Sequence, residues 1–229
     1  MAAARVQISR HTVRTDTGER LVRIGTEFLS EKGFGLTGLD EVLRAADVPK
    51  GSFYYYFDSK IDFGLAVIDN YAGIWARKLK RLLENPSAAP LRRIDDYINE
   101  GISGLERYAF QRGCLIGNMG QEITTLNDAI RDRLLSVFAY WTKAIAACLA
   151  EAKRSGEIDA NLDIEKTSRF FWMAWEGAIL QAKLQRSTQP IEDFRDVLFR
   201  MILIAPSSQG GASTKPRPRA AHRLKKAVG

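Results

Sequence analysis

Histidine is nearly absent from this chain of 229 residues: there are two, His11 and His222, both in end segments that lack an apolar pattern. The core is therefore expected to offer no histidine for a Ser/His/Asp triad or a metal site. Neither a phosphate loop nor a dinucleotide fingerprint is present either. These absences argue against an enzyme and lead us to expect no cofactor and no metal. Cysteine is also scarce, with only Cys114 and Cys148, so no disulfide framework exists and both are expected as thiols in a reducing compartment. No run of eighteen apolar residues occurs, and charges interrupt the hydrophobic stretches, so no membrane span is expected. Met1 to Ser9 lack the apolar segment of a secretory signal, which points to a cytoplasmic protein. Strand-type alternation and internal repeats are missing as well.

Positive charge is abundant, at a formal +7, but it is unevenly placed. From Ser207 to Gly229 there are six basic residues and no acid; the remainder holds 28 basic against 27 acidic residues. Total charge is therefore weak evidence for nucleic-acid binding, and local arrangement has to carry that case. The basic tail is expected to be disordered, serving either as a source of non-specific phosphate contacts or as a solubilising end.

What is present is helical periodicity. Residues 1–15 read as a flexible basic arm. From about Thr17, Leu21, Ile24, Phe28 and Leu29 recur at helix spacing, with Lys32 and Gly33 as a stop. Thr37 is placed as N-cap of a second short helix (Leu39, Val42, Leu43, Ala46), and a third runs from about Lys50 to Phe57 after a tight break. Ser59 caps a fourth, and the pattern stays helical to about Ala205. The fold expected is all-α, with about nine helices: a DNA-binding unit at 16–62, a ligand-sensing and dimerisation unit at 63–206, and a tail at 207–229.

Two short helices joined by a tight turn suit entry into a DNA major groove, the second presenting its N-terminal part to base edges. Phe53 and Phe57, one turn apart, are expected to face the core with Val48. That leaves Lys50, Gly51, Ser52, Tyr54, Tyr55 and Tyr56 on or beside the exposed side, where tyrosine hydroxyls suit phosphates and the rings suit thymine methyls or sugars. The same periodicity also fits ordinary surface and core aromatics of a helical binding or scaffold protein that reads no DNA.

The stretch Gly51-Ser52-Phe53-Tyr54-Tyr55-Tyr56-Phe57 with Lys60, together with Gly33-Phe34 and Thr37, resembles the DNA-binding domain of the TetR family of repressors. The resemblance implies phosphate contacts from Thr37, Tyr54, Tyr56 and Lys60, and base or groove contacts from Lys50, Gly51, Ser52 and Tyr55. It further implies a homodimer on a palindromic site in double-stranded DNA. Tyr56 stands where many members carry His.

Farther along, Gly113 to Glu122 places Cys114 after a glycine at a helix start, near Arg107 and Arg112; a thiolate there would be stabilised and its pKa lowered. The same residues equally describe a small buried cysteine in a tight helix, and Cys148 reads as core. In Phe170 to Gly177, helical spacing sets Trp172 and Glu176 on one face and Phe171 with Trp175 on another. Glu176 within an apolar run needs a partner, either across a dimer interface or in a ligand. Apolar stripes at Ile179 and Ala182, and at Phe194, Val197, Leu198, Met201 and Ile202, suit a four-helix dimer interface.

Together these segments are similar to a narrower group, the repressors that respond to acrylate and to N-ethylmaleimide-type electrophiles. That resemblance makes Cys114 the sensor candidate, with Asn118, Gln121, Trp141, Trp172 and Glu176 as pocket residues. It implies an inducer that is a small unsaturated acid, an acyl thioester or an electrophile.

Overall fold

The computed structural model describes residues 16–123, 125 and 127–204. The arm at 1–15, the basic tail, His11 and His222 lie outside them. Among the described residues there are nine α-helices and no strand: α1 (Asp16–Leu36), α2 (Leu39–Ala45), α3 (Phe53–Tyr56), α4 (Lys60–Leu83), α5 (Pro90–Arg107), α6 (Leu115–Glu122), α7 (Asp128–Arg154), α8 (Ile164–Gln185) and α9 (Gln189–Val197). A 3₁₀ turn (Lys50–Ser52) leads into α3, and a π turn (Leu198–Ile202) continues α9.

Local chemistry sets the helix ends. The Ser59 hydroxyl accepts from the Asp62 N–H, Asn127 Oδ1 from Ile130 N–H, and Asp163 Oδ1 from Lys166 N–H, at 2.9–3.0 Å, each satisfying an orphan donor at the start of α4, α7 or α8. Pro90 begins α5, where its missing N–H costs nothing. Gly33 breaks α1 near its end, with φ 83° and ψ 176°. The cap of α2 differs from expectation. It is Gly38, without a side-chain bond, while the Thr37 hydroxyl turns back and donates to the Gly33 carbonyl at 2.7 Å. A backbone kink with an unpaired carbonyl takes the hydroxyl before the next helix can.

α1, α2 and α3 enclose a small core. Phe53 and Phe57 are buried, as their spacing implied, and both pack on Phe63 of α4, with ring centroids 5.8 and 5.1 Å away. α4 therefore begins in the reading unit and runs without interruption into the larger bundle, so a boundary between 62 and 63 falls inside one rigid helix. In the bundle α7 packs against α4, α5 and α8, and α9 closes over α8. α7 is the one helix among the described residues whose length and composition would match a membrane span. Here its Trp141, Ile145, Cys148 and Leu149 are buried in the protein core.

The stripe proposed for an interface is displaced by helical phase. Ala182 is fully buried and Ile179 lines an internal cavity, while Phe194 and Leu198 pack inside the chain. The exposed apolar face consists of Phe170, Met173, Leu180 and Leu184 of α8 together with Val197 and Met201, two members of the expected stripe.

Candidate DNA-reading face and ligand cavity

The reading helix is held by its buried side and leaves the other side open. Tyr54 and Tyr55 are 69% and 79% exposed, Tyr56 is half-buried, and a side chain built on Gly51 would meet nothing within 4 Å. Lys50 reaches Asp40 at 2.7 Å, a solvent-exposed pair that a phosphate can exchange at little cost. Two residues assigned to phosphate are placed differently. Thr37 is 1% exposed, with its hydroxyl committed to Gly33. Lys60 donates to the Phe34 carbonyl at 2.9 Å and lies over the Phe34 ring, and burial draws its pKa down. Thr37 thus shapes the turn before α2, and Lys60 ties α4 to α1.

In the bundle a cavity of about 290 Å³ opens among α1, α4, α5, α7, α8 and the segment 108–114 that leads into α6. Cys114, Trp141, Trp172 and Glu176 all line it, though they come from two helices, α7 and α8, and the loop before α6. Trp141 and Trp172 lie with ring centroids 5.0 Å apart and a 31° tilt. Gly117 permits the approach of Glu176: a Cβ there would meet its Oε2 at 2.2 Å. Tyr71, Tyr97 and Trp175 complete the inner wall, and Arg23, Lys78, Arg107 and Arg112 stand among the lining residues. The sequence marked the four inner residues but missed both tyrosines, which sit in ordinary apolar helix patterns. Asn118 and Gln121 are not brought to this wall. Asn118 points at the Ser30 carbonyl of α1, at 3.5 Å, and Gln121 is exposed.

The electrostatics of Cys114 reverse the expectation of a lowered pKa. Its thiol is pushed well above the usual range, first by burial and then by the Glu176 carboxyl bonded to it. The amides of Ile116 and Gly117 at the α6 N-terminus favour the thiolate but do not outweigh that burial. Arg112 is bound to Glu27 and Glu31 rather than to the sulfur. The Cys148 thiol is likewise raised by burial, to about 12. At neutral pH both thiols should react with N-ethylmaleimide more than about tenfold slower than free cysteine, because the thiolate is the nucleophile. Stopped-flow alkylation of each single-cysteine variant measures this, and a faster reaction at Cys114 would contradict the buried, protonated state.

Burial lifts Glu176 to about 7, offset in part by its bond to Cys114. The folded state holds that proton more tightly than the unfolded chain does. Stability should therefore fall as pH rises from the ordinary carboxyl range to about 7, by on the order of 2 kcal/mol. Urea midpoints at about pH 5 and pH 8 test this, with Glu176→Gln expected to remove the decline.

One further contact joins the two units. Glu122, at the end of α6, accepts from the Gly35 N–H at 2.8 Å, and its carboxylate occupies the space a Cβ on Gly33 would need. The helix whose N-cap is Cys114 therefore ends on the last turn of α1, just before α2.

The family model for bacterial regulatory proteins of the tetR family matches residues 22–67, and that for the tetracyclin repressor-like C-terminal domain matches residues 90–198. The chain belongs to the TetR family. Transcriptional regulator AcuR of Cereibacter sphaeroides is 44% identical over 176 residues, 77% of this chain and 80% of that one. The transcriptional repressor NemR of Escherichia coli is 30% identical over 190 residues, 81% of this chain and 93% of that one. A crystal structure of a TetR regulatory protein from Rhodobacter sphaeroides is 42% identical and superposes with a TM-score of 0.79, covering 81% of this chain and 98% of that one. This TetR-family chain is accordingly a DNA-binding transcriptional regulator rather than an enzyme or a scaffold without DNA recognition, and the relatives named are regulators too.

Proposed function

We propose that this TetR-family regulator is a cytoplasmic homodimeric repressor that releases a palindromic operator when a small molecule fills the cavity at Cys114, Trp141, Trp172 and Glu176. The observation behind this reading is that the cavity is lined by α4, which begins in the reading unit, and by Cys114, the N-cap of α6, whose far end is fastened to that unit. α4 continues from it, and α6 ends on Gly35 through Glu122. A ligand that displaces either helix changes the distance between the two reading heads. Both half-sites, about one DNA turn apart, can then no longer be engaged together. Dimerisation is assigned to the exposed apolar face of α8 and α9. The division into a reading unit at 16–62 and a sensing unit at 63–206 is part of the same proposal.

The inducer class implied by resemblance is a small unsaturated acid, an acyl thioester or an electrophile. The protonated, buried state of Cys114 favours non-covalent occupancy over modification of the thiol.

The test is fluorescence anisotropy on an operator selected from pooled genomic fragments, with wild type and Cys114→Ser, each with and without acrylic acid and N-ethylmaleimide. We expect tight binding by both proteins and at least a tenfold loss of affinity with acid in both. Release of the wild type alone would assign sensing to covalent chemistry at Cys114. No tight binding to any fragment would overturn the repressor reading.

A further inference from the structure

We propose that the cavity selects an uncharged head group with an acceptor beside a donor, a primary carboxamide or a protonated carboxyl, held by the indole N–H groups of Trp141 and Trp172 and by Glu176 Oε1. The inference rests on the reading that this cavity is the inducer site. It is carried by three polar atoms of residues that line it, Trp141 Nε1, Trp172 Nε1 and Glu176 Oε1, which are closed off from solvent and have no hydrogen-bond partner. Buried polar groups are almost always paired, and a single orphan is already unusual. Three in residues around one cavity are unlike ordinary packing.

The three belong to one cluster. The two indoles face each other at 5.0 Å, and Glu176 follows Trp172 by one helical turn. Glu176 Oε2 is occupied above Gly117, where the carboxyl also meets the Cys114 thiol, so Oε1 is the oxygen left over. Two donors and one oxygen define the complement: a ligand oxygen that accepts from the indoles, and beside it an N–H or O–H that donates to Glu176.

Charge narrows the choice. The titratable groups whose charge acts on Glu176 are Tyr71 of α4, Tyr97 of α5 and Cys114 at the start of α6. Of the cations that line the cavity, Arg23, Lys78, Arg107 and Arg112, none acts on its carboxyl, and Lys78 is paired with Glu100 and Arg112 with Glu27 and Glu31. Tyr71, Tyr97 and Cys114 are all shifted upward by burial and remain neutral at neutral pH. An ionised ligand carboxylate beside an ionised Glu176 would be uncompensated, so an acid binds only with one proton shared between the two carboxyls. An ester or thioester carbonyl satisfies the indoles and leaves Oε1 unpaired. An ammonium satisfies Oε1 and leaves both indoles unpaired.

The test is calorimetric titration of the full-length protein with hexanamide, hexanoic acid, methyl hexanoate and hexylamine at about pH 6 and pH 8. These are saturated probes, so cysteine addition plays no part. Hexanamide should bind about tenfold or more tightly than the ester or the amine, since each of those leaves a buried group unpaired. Its affinity should be nearly the same at both pH values. Hexanoic acid should weaken by about tenfold from pH 6 to pH 8, as the shared proton is lost near 7.

Trp172→Phe keeps the ring and removes the N–H, and should weaken both the amide and the acid by about tenfold. Glu176→Gln supplies its own donor to a carboxylate, and should abolish the pH dependence of the acid while retaining hexanamide within about threefold. Equal binding of ester and amide, tighter binding of the amine, or an unchanged acid profile in Glu176→Gln would each overturn the proposal. Operator release is scored separately by anisotropy. Hexanamide bound as expected without release would overturn the inducer role and leave the recognition standing; release by a ligand lacking the donor would do the reverse.

Discussion

Replacing Tyr54 and Tyr55 together by alanine should weaken operator binding by about a thousandfold or more while leaving the melting temperature within a degree or so of wild type. Both rings point away from the core, at 69% and 79% exposure. Tyr54 only edges onto Phe53, and Tyr55 onto Tyr56, so little packing is lost. A side-chain contact to a base or groove contributes about 1–3 kcal/mol, and a two-fold dimer makes each contact twice, so four losses exceed about 4 kcal/mol even with incomplete additivity. Anisotropy at fixed salt gives the affinity and calorimetry gives the melting point. A double variant that still binds within tenfold of wild type would remove the tyrosines from the interface. A large fall in melting temperature would instead make them structural.

The second large effect belongs to Gly33. Its φ of 83° with ψ of 176° is a region that essentially only glycine occupies, and a methyl group there would lie 1.9 Å from Glu122 Oε1. Gly33→Ala should therefore destabilise the protein by about 2–4 kcal/mol, combining backbone strain with loss of the Glu122 to Gly35 hydrogen bond. A double-mutant cycle separates the two contributions. Glu122→Ala in the Gly33→Ala background should relieve the carboxylate clash and leave the strain, so the double variant is destabilised by about 1 kcal/mol less than the sum of the single variants. Urea denaturation supplies the numbers. Strict additivity would mean that Glu122 and Gly33 do not meet, and that α6 is not fastened to the reading unit there.

Much of the reading unit was legible because its determinants are local. Phe53 and Phe57 one turn apart, tyrosines between them and Gly33 at a helix stop are statements about neighbours in sequence, and helical phase converts them directly into inside and outside. Thr37 and Lys60 were misplaced for the opposite reason. Each has a local role that its residue type suits, as a cap and as a phosphate donor. Each is taken by a carbonyl freed at the α1 kink: the Thr37 hydroxyl by Gly33, and the Lys60 ammonium by Phe34, 26 residues away. The α8 part of the interface stripe turns inward by phase, while Val197 and Met201 stay exposed. Ile179 and Ala182 are apolar at helix spacing, but so are Leu180 and Leu184, and the sequence does not say which flank of α8 another element covers.

The candidate sensor shows the same division most sharply. The sequence by itself determined that Cys114 opens a helix, that Trp172 and Glu176 share a face, and that the chain is helical with a DNA-reading turn near its start. Periodicity and capping depend only on residues within a turn or two of one another. Only the tertiary structure decided that Cys114 is buried against a carboxyl rather than exposed beside arginines, which turns a low expected pKa into a high one. It alone joined Trp141 to Trp172 and set Glu122 on Gly35. Desolvation and charge pairing are set by whatever packs across the gap, and that partner lies 62 residues away from Cys114 in Glu176 and 87 away from Gly35 in Glu122.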